Sequence, residues 1–380
     1  MSLPTDEYAS ILRRLDEEAR LRSIPGENEH ICTDLTSNDY LGLGARGTEF
    51  DAELLRRFPD ASFTSSASRL LSRRQKHHKM LEDRLEELYG KPALLFNSGY
   101  HANVGITSAL AVPGTLFVCD KAIHASVIDG LAVGKADFRR FPHNDMERLE
   151  TVLSRHASDY RRVIIAAESV YSMDGDTAPL QRLVEIRHRY PNAMIYLDEA
   201  HGVGVRGDKG LGLAEECGLI GEIDIIVGTF GKALASSGAF VAASGDLVRF
   251  LINCARPLIF STALPPVCAA RSLLMLEKSI CMPEERRHLA SISERFRKSL
   301  KAITGKESVS QSQIVPLITG DASKAVALAS ELRTLGFDSL PIRRPTVAPG
   351  TERIRFSLNA SLGIRDVDSL ADALKTLLQT

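Results

Sequence analysis

Residues 193–201 read AMIYLDEAH, an apolar run that ends in two carboxylates and an imidazole. A continuous apolar run without strict alternation is typical of a β-strand that is covered on both faces. Comparable apolar runs recur between about residues 78 and 270. Helices are predicted in the intervals that separate them: one that begins at about residue 100, one at 145–156 and one at 178–190. These runs are ALLFN (93–97), TLFVCD (115–120), VIIAAES (163–169), IDIIVGT (223–229) and AFVAAS (239–244). We therefore predict an α/β domain with a mainly parallel sheet and helices on both faces.

The pattern changes after about residue 275, where a long polar helical stretch, PEERRHLASISERFRKSLKAIT, begins an alternation of short apolar runs and helices. The apolar runs are QIVPLIT, FDSLPI and RIRFSLNA, and the helices are predicted at 322–335 and from about 364. We predict an N-terminal helical segment over residues 1–45, with a helix at 5–22. A large α/β domain should follow at 46–272, and a smaller α+β domain at 273–380.

The composition is that of an ordinary soluble globular protein. Of 380 residues, 44% are hydrophobic and 25% are charged, and the formal net charge is −1. A balanced charge gives no indication of a nucleic-acid or acidic-membrane partner, and no apolar run is long enough to span a membrane. The N-terminus lacks the apolar core of a signal peptide, and the six cysteines form no CxxC pair. We therefore expect a cytoplasmic protein with reduced thiols.

Polar side chains follow several of the predicted strands, at the points where the strands end. In an open parallel sheet, ligands bind at the carboxyl ends of the strands. The residues in question are Asp120, Glu168, Asp198, His201 and Thr229. These strand ends are the first place to search for a site.

Lys232 lies among small residues in GTFGKALASSG, residues 228–238. Small neighbours would leave room for a large group beside the lysine. A deprotonated amine can form a Schiff base with a carbonyl compound, and pyridoxal phosphate is the common carbonyl partner of such lysines. The alternative is an exposed lysine on a flexible loop, which is the usual place for this residue type.

Asp198 precedes Lys232 by 34 residues, an interval that contains one helical stretch and one strand. A carboxylate against the pyridine nitrogen of pyridoxal phosphate would keep that nitrogen protonated. The alternatives are a helix N-cap or, with His201, a metal pair. No third ligand pattern stands near DEAH, so we predict no metal site.

The remaining candidates complete a cofactor site. The Ser-Gly turn of FNSGYHAN precedes a predicted helix, whose free N–H groups would attract a phosphate, with Thr229 adding a hydroxyl. An ordinary strand-to-helix turn is the alternative. FSTALPP (260–266) offers two more hydroxyls, and His124 is either a ring-stacking residue or a structural histidine. Arg355, which alternates with apolar neighbours in RIRFSLNA, either grips a carboxylate or lies on a solvated strand face.

The ordered motifs resemble those of the α-oxoamine synthases, fold-type I pyridoxal-phosphate enzymes that condense an amino acid with an acyl thioester and release carbon dioxide. The resemblance runs from LTSNDYLGL (35–43) to RIRFSLNA. The motifs between are SRLLS, LFNSGYHAN, HASVIDG, FPHNDMERLE, ESVYSMDGDTAPL, YLDEAHGVGVRG, GTFGKALASSG and FSTALPP. The fold implied by this resemblance is a mainly parallel seven-stranded sheet with helices on both faces and a smaller α+β C-terminal domain.

The resemblance also implies roles for individual residues. Lys232 would bind the cofactor covalently and serve as general acid and base, Asp198 would pair with the pyridinium nitrogen, and His124 would stack on the ring. His201 and Ser172 would lie near the phenolic oxygen. The resemblance implies that further residues hold the cofactor: Ser98, Gly99, Tyr100, Glu168 and Thr229. Ser261 and Thr262 would be contributed by the second subunit of a homodimer. Substrate would contact Asn38, Arg355 and Arg22.

Within the family, the SRLLS segment resembles the branch that joins L-alanine to a pimeloyl thioester, carried by coenzyme A or acyl carrier protein, in biotin synthesis. The alternatives are condensation of glycine with acetyl-CoA, or of serine with a long acyl chain. A cofactor-binding protein without synthase activity is a third. Four segments depart from the family pattern: TSSASR, the pair Arg73 and Arg74, KALASSGA beginning at Lys232, and NASLGI after RIRFSL, where the family has a histidine. The two arginines either meet phosphates or an acyl carboxylate, or lie on a solvated loop.

Overall fold

The computed structural model describes residues 4–24, 26 and 33–379. Strands in this part are β1 Thr33–Asp34, β2 Ala93–Phe96, β3 Thr115–Asp120, β4 Asp137–Phe141, β5 Arg162–Glu168, β6 Ala193–Asp198, β7 Ile225–Thr229, β8 Ala239–Ala243, β9 Ile314–Ile318, β10 Phe337–Asp338, β11 Leu340–Ile342 and β12 Arg353–Ser357. Helices are α1 Pro4–Glu17, α2 Gly47–Arg57, α3 Lys76–Tyr89, α4 Gly99–Leu110, α5 Ala125–Gly134, α6 Met146–His156, α7 Leu180–His188, α8 Leu213–Glu216, α9 Gly245–Cys254, α10 Arg256–Phe260, α11 Pro266–Ile280, α12 Pro283–Thr304, α13 Ala322–Thr334 and α14 Ile364–Gln379. Short 3-10 helices lie at Gly44–Arg46, Ala157–Asp159 and Ile220–Glu222.

Two compact units are present. The large unit comprises residues 39–172 and 177–287, and the described residues of the small unit lie within 4–38, 173–176 and 288–379. The boundaries therefore differ from the predicted 46–272 and 273–380. Helix α11 packs on α3 and so belongs to the large unit. Residues 173–176 join the small unit because, for example, Gln311 N donates a hydrogen bond to Gly175 O at 2.9 Å.

The large unit is built on a seven-stranded sheet in the order β2-β8-β7-β6-β5-β3-β4. All strands are parallel except β8, which runs antiparallel to both of its neighbours. Every residue of β3, β7 and β8 is buried, as the continuous apolar runs predicted. The mainly parallel, seven-stranded α/β fold is confirmed.

Strand β4 was not predicted from the sequence. Its residues, DFRRF, include three charged side chains, and most of the strand is exposed or half-buried. β4 lies at the sheet edge, and among the strands of the described residues it pairs with β3 alone. An edge strand covered on fewer sides needs no continuous apolar run, which explains why the pattern search missed it.

Side-chain caps fix the starts of several helices in the large unit. Ser98 accepts a hydrogen bond from His101 N at the start of α4, and Asp145 accepts one from Arg148 N at the start of α6. These caps satisfy N–H groups that have no partner inside a helix. Helix α7 begins after Pro179, two residues later than predicted.

The small unit contains a three-stranded antiparallel sheet in the order β11-β12-β9 and a short parallel pair, β1-β10. Helix α1 ends at Glu17, five residues before the predicted end. Helix α13 begins at its predicted start and ends one residue before its predicted end, and α14 begins at the predicted residue, Ile364. In the described ranges of the chain, we find no helix with the length and apolarity that a membrane span requires.

Candidate active site

A cavity of about 190 Å³ opens at the carboxyl ends of the parallel strands in the large unit. It is lined by Gly99, Tyr100, Asn103, His124, Glu168, Asp198, Ala200, His201, Thr229 and Lys232. Eight of these were predicted from the sequence; Asn103 and Ala200 were not. Five separate segments of the chain converge here because parallel strands all end at one edge of the sheet.

Lys232 lies in the loop between β7 and β8, and that loop is held by hydrogen bonds. Ala235 N donates to Lys232 O at 2.9 Å, and Ser236 N donates to Phe230 O at 2.9 Å. The hydroxyls of Ser236 and Ser272 lie 2.8 Å apart. Lys232 is therefore not on a flexible surface loop, and it lines the cavity from a hydrogen-bonded backbone.

The small residues after Lys232 leave space beside the lysine, and they also allow its loop to pack closely against neighbouring segments. Ala233 and Leu234 are buried. A Cβ atom placed on Gly204 would lie 2.5 Å from the Cβ of Ala233, so the 232–235 loop and the turn containing Gly204 approach as closely as two small residues allow. Larger side chains at these positions would push the lysine loop away from the strand ends.

Asp198 is buried, and its carboxylate belongs to a polar network beneath the cavity. Asn103 Nδ2 donates to Asp198 Oδ2 at 2.7 Å, and Ala200 N donates to Oδ1 at 2.9 Å. Tyr196 in turn donates its hydroxyl to Asn103 Oδ1 at 2.5 Å. The network fixes the carboxylate from below. Asn103 lies within the SGYHAN motif, but only the fold shows that it reaches a strand end nearly a hundred residues further along the chain.

His124 combines the two roles that the sequence left open. Its Nδ1 accepts a hydrogen bond from Ser126 N at 3.3 Å and so caps α5, and the ring also lines the cavity. The pKa of His124 is lowered, because loss of solvent opposes its protonation; the charge of Lys232 acts in the same direction and that of Asp198 opposes it. The neutral ring is thus favoured.

The start of α4 forms one end of the cavity. The first backbone hydrogen bond of the helix is from Ala102 N to Ser98 O, so the N–H groups of Gly99 and Tyr100 precede the helical ladder. A Cβ on Gly99 would lie 3.9 Å from the Cβ of Thr229, which places the helix start beside that residue. N–H groups at a helix start and a nearby hydroxyl suit a phosphate.

Glu168 is the cross-strand neighbour of Asp198, and it is buried. Burial raises the pKa of its carboxyl well above the usual range, and the charge of Asp198 adds to this rise. The charge of Lys232 and the N–H of Ser172 oppose it. Glu168 Oε1 is buried without a hydrogen-bond partner. A protonated carboxyl group facing the cavity is the favoured state.

Four predicted cofactor residues do not line the cavity. Ser98 caps α4 from outside it, and Ser172 contacts Glu168 through its backbone N–H. Asn97 Nδ2 donates to Thr262 O at 2.6 Å, and the hydroxyl of Ser261 lies 3.5 Å from the same nitrogen. Ser261 and Thr262 are thus near the start of α4 within one chain but outside the cavity of that chain.

Arg355 and Asn38 lie together in the small unit, where Arg355 Nη2 donates to Asn38 Oδ1 at 3.0 Å. Arg353 and Arg355 share one face of β12, as predicted, yet both are buried, so the solvated-face alternative is wrong. Arg353 Nη1 donates to Asp174 Oδ1 at 2.6 Å. Arg22 is exposed and donates to the hydroxyl of Thr346 at 3.2 Å.

Arg73 and Arg74 are exposed in the large unit and do not line the cavity. The structure leaves their predicted alternatives open. Among residues 4–24, 26 and 33–379, no group of three or more His, Cys, Asp or Glu side chains is arranged to hold a metal ion.

The arrangement therefore offers, in one cavity, an anion site at a helix start, a buried carboxylate, an imidazole and an amine. A family model described as "Aminotransferase class I and II" matches residues 30–374. An 8-amino-7-oxononanoate synthase of Chlorobaculum parvum is 45% identical over 394 residues, which cover 99% of this chain and 100% of that protein. One from Haemophilus ducreyi is 43% identical and covers 97% of this chain and 99% of its own.

Two solved structures are also similar. A serine palmitoyltransferase from Sphingomonas wittichii has a TM-score of 0.88 at 30% identity, with 99% of this chain and 98% of that chain covered. An 8-amino-7-oxononanoate synthase from Francisella tularensis has a TM-score of 0.77 at 25% identity, covering 93% and 99%. The chain belongs to the aminotransferase class I and II family and, within it, to the α-oxoamine synthases that its motifs indicated.

Proposed function

We propose that this protein is a pyridoxal 5′-phosphate-dependent 8-amino-7-oxononanoate synthase. It would condense L-alanine with a pimeloyl thioester, carried by coenzyme A or acyl carrier protein, to give 8-amino-7-oxononanoate, carbon dioxide and the free thiol in biotin synthesis. The names of relatives that are 43–45% identical over nearly the full length support this substrate pair. We further propose a cytoplasmic homodimer.

The observation that carries the proposal is that Lys232 and Asp198 line one cavity whose far end is a helix start. A phosphate would be held by the N–H groups of Gly99 and Tyr100 with the hydroxyl of Thr229. Asp198 is buried and already holds two donors, yet its carboxylate still lines the cavity, where a protonated ring nitrogen would meet it. The residues present therefore fit the cofactor.

When bound, pyridoxal phosphate withdraws electrons from the α-carbon of the amino acid that condenses with its aldehyde. Lys232 Nζ would take the proton from that carbon and later return one, as general base and acid. Asp198 would keep a positive charge on the ring nitrogen, and His124 would cover the ring face. His201, whose Nε2 lies 2.8 Å from Lys232 Nζ, orients the amine.

Other residues stay predictions that rest on the family resemblance. Asn38, Arg355 and Arg22 would bind substrate, with Arg355 gripping the carboxylate of the amino acid. Ser172 would approach the phenolic oxygen of the cofactor, and Ser98 would support the phosphate site. Ser261 and Thr262 would complete the phosphate site of the second subunit. Their position near the start of α4, outside the cavity of their own chain, is compatible with that role.

A second function has its own support. The serine palmitoyltransferase from Sphingomonas wittichii has the higher TM-score of the two structures described above, 0.88 against 0.77. Serine with a long acyl thioester is therefore the leading alternative, and glycine with acetyl-CoA is another.

Absorption spectroscopy, combined with product analysis, tests both the cofactor and the choice of amino-acid substrate. The purified protein with added cofactor is titrated with L-alanine, glycine and L-serine, each with and without pimeloyl-CoA, and carbon dioxide and aminoketone are measured. Alanine should change the visible band most, and only alanine with the thioester should give product. Productive turnover with serine or glycine would instead support an alternative substrate.

A second comparison tests the cofactor itself. Lys232→Ala should lose the covalent chromophore and turnover while its circular dichroism spectrum stays that of the native protein. Full turnover by this variant would refute the role of Lys232.

A further inference from the structure

We propose that Tyr40 is a positioning residue that holds His201 in one tautomer, so that the ring aims an N–H donor at Lys232. Tyr40 does not line the cavity and would act only through His201. The inference deepens the proposed function and rests on it in one respect, that Lys232 is the reacting amine.

The backbone around Tyr40 is a fixed turn. The Asp39 carboxylate accepts hydrogen bonds from Leu43 N at 3.0 Å and Gly44 N at 2.7 Å. Gly42 has a φ of 68°, a left-handed conformation that glycine adopts without strain. Tyr40 is fully buried inside this turn, so its hydroxyl has little freedom to move.

This turn packs directly against the lysine loop. A Cβ on Gly44 would lie 3.7 Å from the Cβ of Ala235, and one on Gly204 would lie 3.6 Å from Leu41 Cδ1 as well as against Ala233. The positions of Tyr40 and Lys232 are therefore set by one packed cluster of backbone segments in the large unit.

His201 stands between them, with both ring nitrogens engaged. The hydroxyl of Tyr40 lies 2.6 Å from His201 Nδ1, and Lys232 Nζ lies 2.8 Å from Nε2. A neutral imidazole carries its proton on one nitrogen only, and the hydrogen bond made by the other nitrogen decides which. The hydrogen bond from Tyr40 to Nδ1 can therefore determine the tautomer of His201.

Two arrangements satisfy these distances. In the first, Tyr40 donates its O–H to Nδ1, and Nε2–H donates to the lone pair of Lys232. In the second, Nδ1–H donates to the phenol oxygen, and Lys232 donates to Nε2. A phenol O–H is a strong donor and an imidazole nitrogen a strong acceptor, whereas a phenol oxygen is a weak acceptor because its lone pair is delocalised into the ring. The first arrangement is therefore favoured when Lys232 is the neutral amine, because an ammonium group has no lone pair to accept from Nε2–H.

The tautomer determines whether His201 presents a hydrogen-bond donor or an acceptor to the cavity. With Nε2 protonated, His201 accommodates Lys232 as the neutral amine, the form that can attack a carbonyl. When Lys232 moves to another partner, the same N–H still points into the cavity and can donate to an oxygen atom there. Without the Tyr40 hydroxyl, the ring is free to take the other tautomer and to present an acceptor instead.

Nitrogen NMR of the full-length protein, labelled with ¹⁵N-histidine, reads the tautomer directly. His201→Gln identifies the His201 signals by their loss. In the wild-type protein with its cofactor, and after cofactor removal at a pH high enough to deprotonate Lys232, Nδ1 should have the shift of an unprotonated acceptor and Nε2 that of a protonated nitrogen. A protonated Nδ1 would overturn the inference, and this measurement needs no Tyr40 variant to fold.

Tyr40→Phe removes only the hydroxyl, and Tyr89→Phe is the matched control. Tyr89 is also buried, and its hydroxyl donates to Leu211 O at 2.8 Å outside the cavity. Tyr40→Phe should shift the His201 signals toward the other tautomer and lower kcat about tenfold, with KM for alanine nearly unchanged. Tyr89→Phe should leave the His201 signals and kcat at wild-type values.

Unchanged His201 signals in Tyr40→Phe would refute the positioning role, even if kcat fell. This failure is separable from failure of the proposed function. The latter would appear as normal turnover in Lys232→Ala or as no product from alanine, whatever the tautomer of His201.

Discussion

Asp198 and Glu199 are neighbours in sequence, yet their side chains lie in two different regions of the large unit. At the end of β6, successive side chains point to opposite faces of the sheet. Asp198 faces the cavity, whereas the Glu199 carboxylate accepts hydrogen bonds from Leu213 N at 3.0 Å and Ala214 N at 2.8 Å. Both residues are buried. Burial alone therefore does not mark a functional carboxylate; the difference lies in what each one faces.

The surroundings of Glu199 are closed. Cβ atoms placed on Gly202 and Gly212 would lie 2.0 Å and 2.4 Å from the nearest atom of its carboxyl group, so two glycines pack against it. Burial raises the pKa of Glu199 to about 7, and the N–H groups of Ala214 and Leu213 oppose this rise. Glu199 thus clamps the 202–214 segment to the strand, while Asp198 keeps a side open to a ligand.

Asp198→Asn should have the largest effect on activity. The substitution keeps the shape but removes the negative charge that would stabilise the ring nitrogen, so kcat/KM should fall by about a thousandfold. Product formation from alanine and the thioester measures this. The melting temperature should fall modestly, because asparagine has one acceptor oxygen for the two donors, Asn103 Nδ2 and Ala200 N. A variant with near-native kcat/KM would show that the comparison assigns the wrong carboxylate.

Glu199→Ala should act on stability instead. It leaves two buried N–H groups without their acceptor, at about 1–3 kcal/mol each, so the free energy of unfolding should fall by about 3 kcal/mol. Urea unfolding measures the change. Glu199→Gln, which retains one acceptor oxygen, should lose less. A Glu199→Ala protein as stable as wild type would contradict the clamp.

The pH dependence of stability gives a further test of Glu199. A carboxyl group whose pKa is raised on folding contributes most stability when protonated in both states, below its unfolded value of 4.5. The contribution is lost as pH rises from 4.5 to about 7, and this displacement corresponds to about 3 kcal/mol. The difference in unfolding free energy between wild type and Glu199→Gln should therefore vary across that window and level off above it. A constant difference would exclude the raised pKa.

Glu168→Gln should have the smallest effect. Glu168 lines the cavity like Asp198 but is favoured in its protonated form, and glutamine resembles a protonated carboxyl group in shape and neutrality. We expect kcat/KM to stay within about tenfold of wild type. A loss as large as that of Asp198→Asn would mean that Glu168 works as an anion, and would move it into the same class as Asp198.

Much of the fold was predictable because its signals are local. The apolar runs that became β3, β5, β6, β7 and β8 bury both of their faces and therefore read as continuous hydrophobic stretches. The edge strand β4 lacked this signal, and the division between the two units was displaced because α11 packs according to tertiary contacts.

The site was predictable where one residue type carries a chemical role. Lys232, Asp198, His124, His201, Glu168 and Thr229 were all named from strand ends and motifs, and all line the cavity. Asn103 and Tyr40 were missed because each acts through a residue distant in sequence. The hydrogen bond from Asn103 to Asp198 and the contact of Tyr40 with His201 join segments 95 and 161 positions apart.

The sequence by itself determined the α/β class, the strand ends that bear the reactive groups and the family, since periodicity and motif order are properties of local chain segments. Only the tertiary structure decided which of two adjacent carboxylates faces the cavity, why small residues follow Lys232, and that a buried tyrosine stands behind His201. Those outcomes depend on distances between segments that meet at the sheet edge. Pairing and packing set such distances, and no single stretch of sequence contains them.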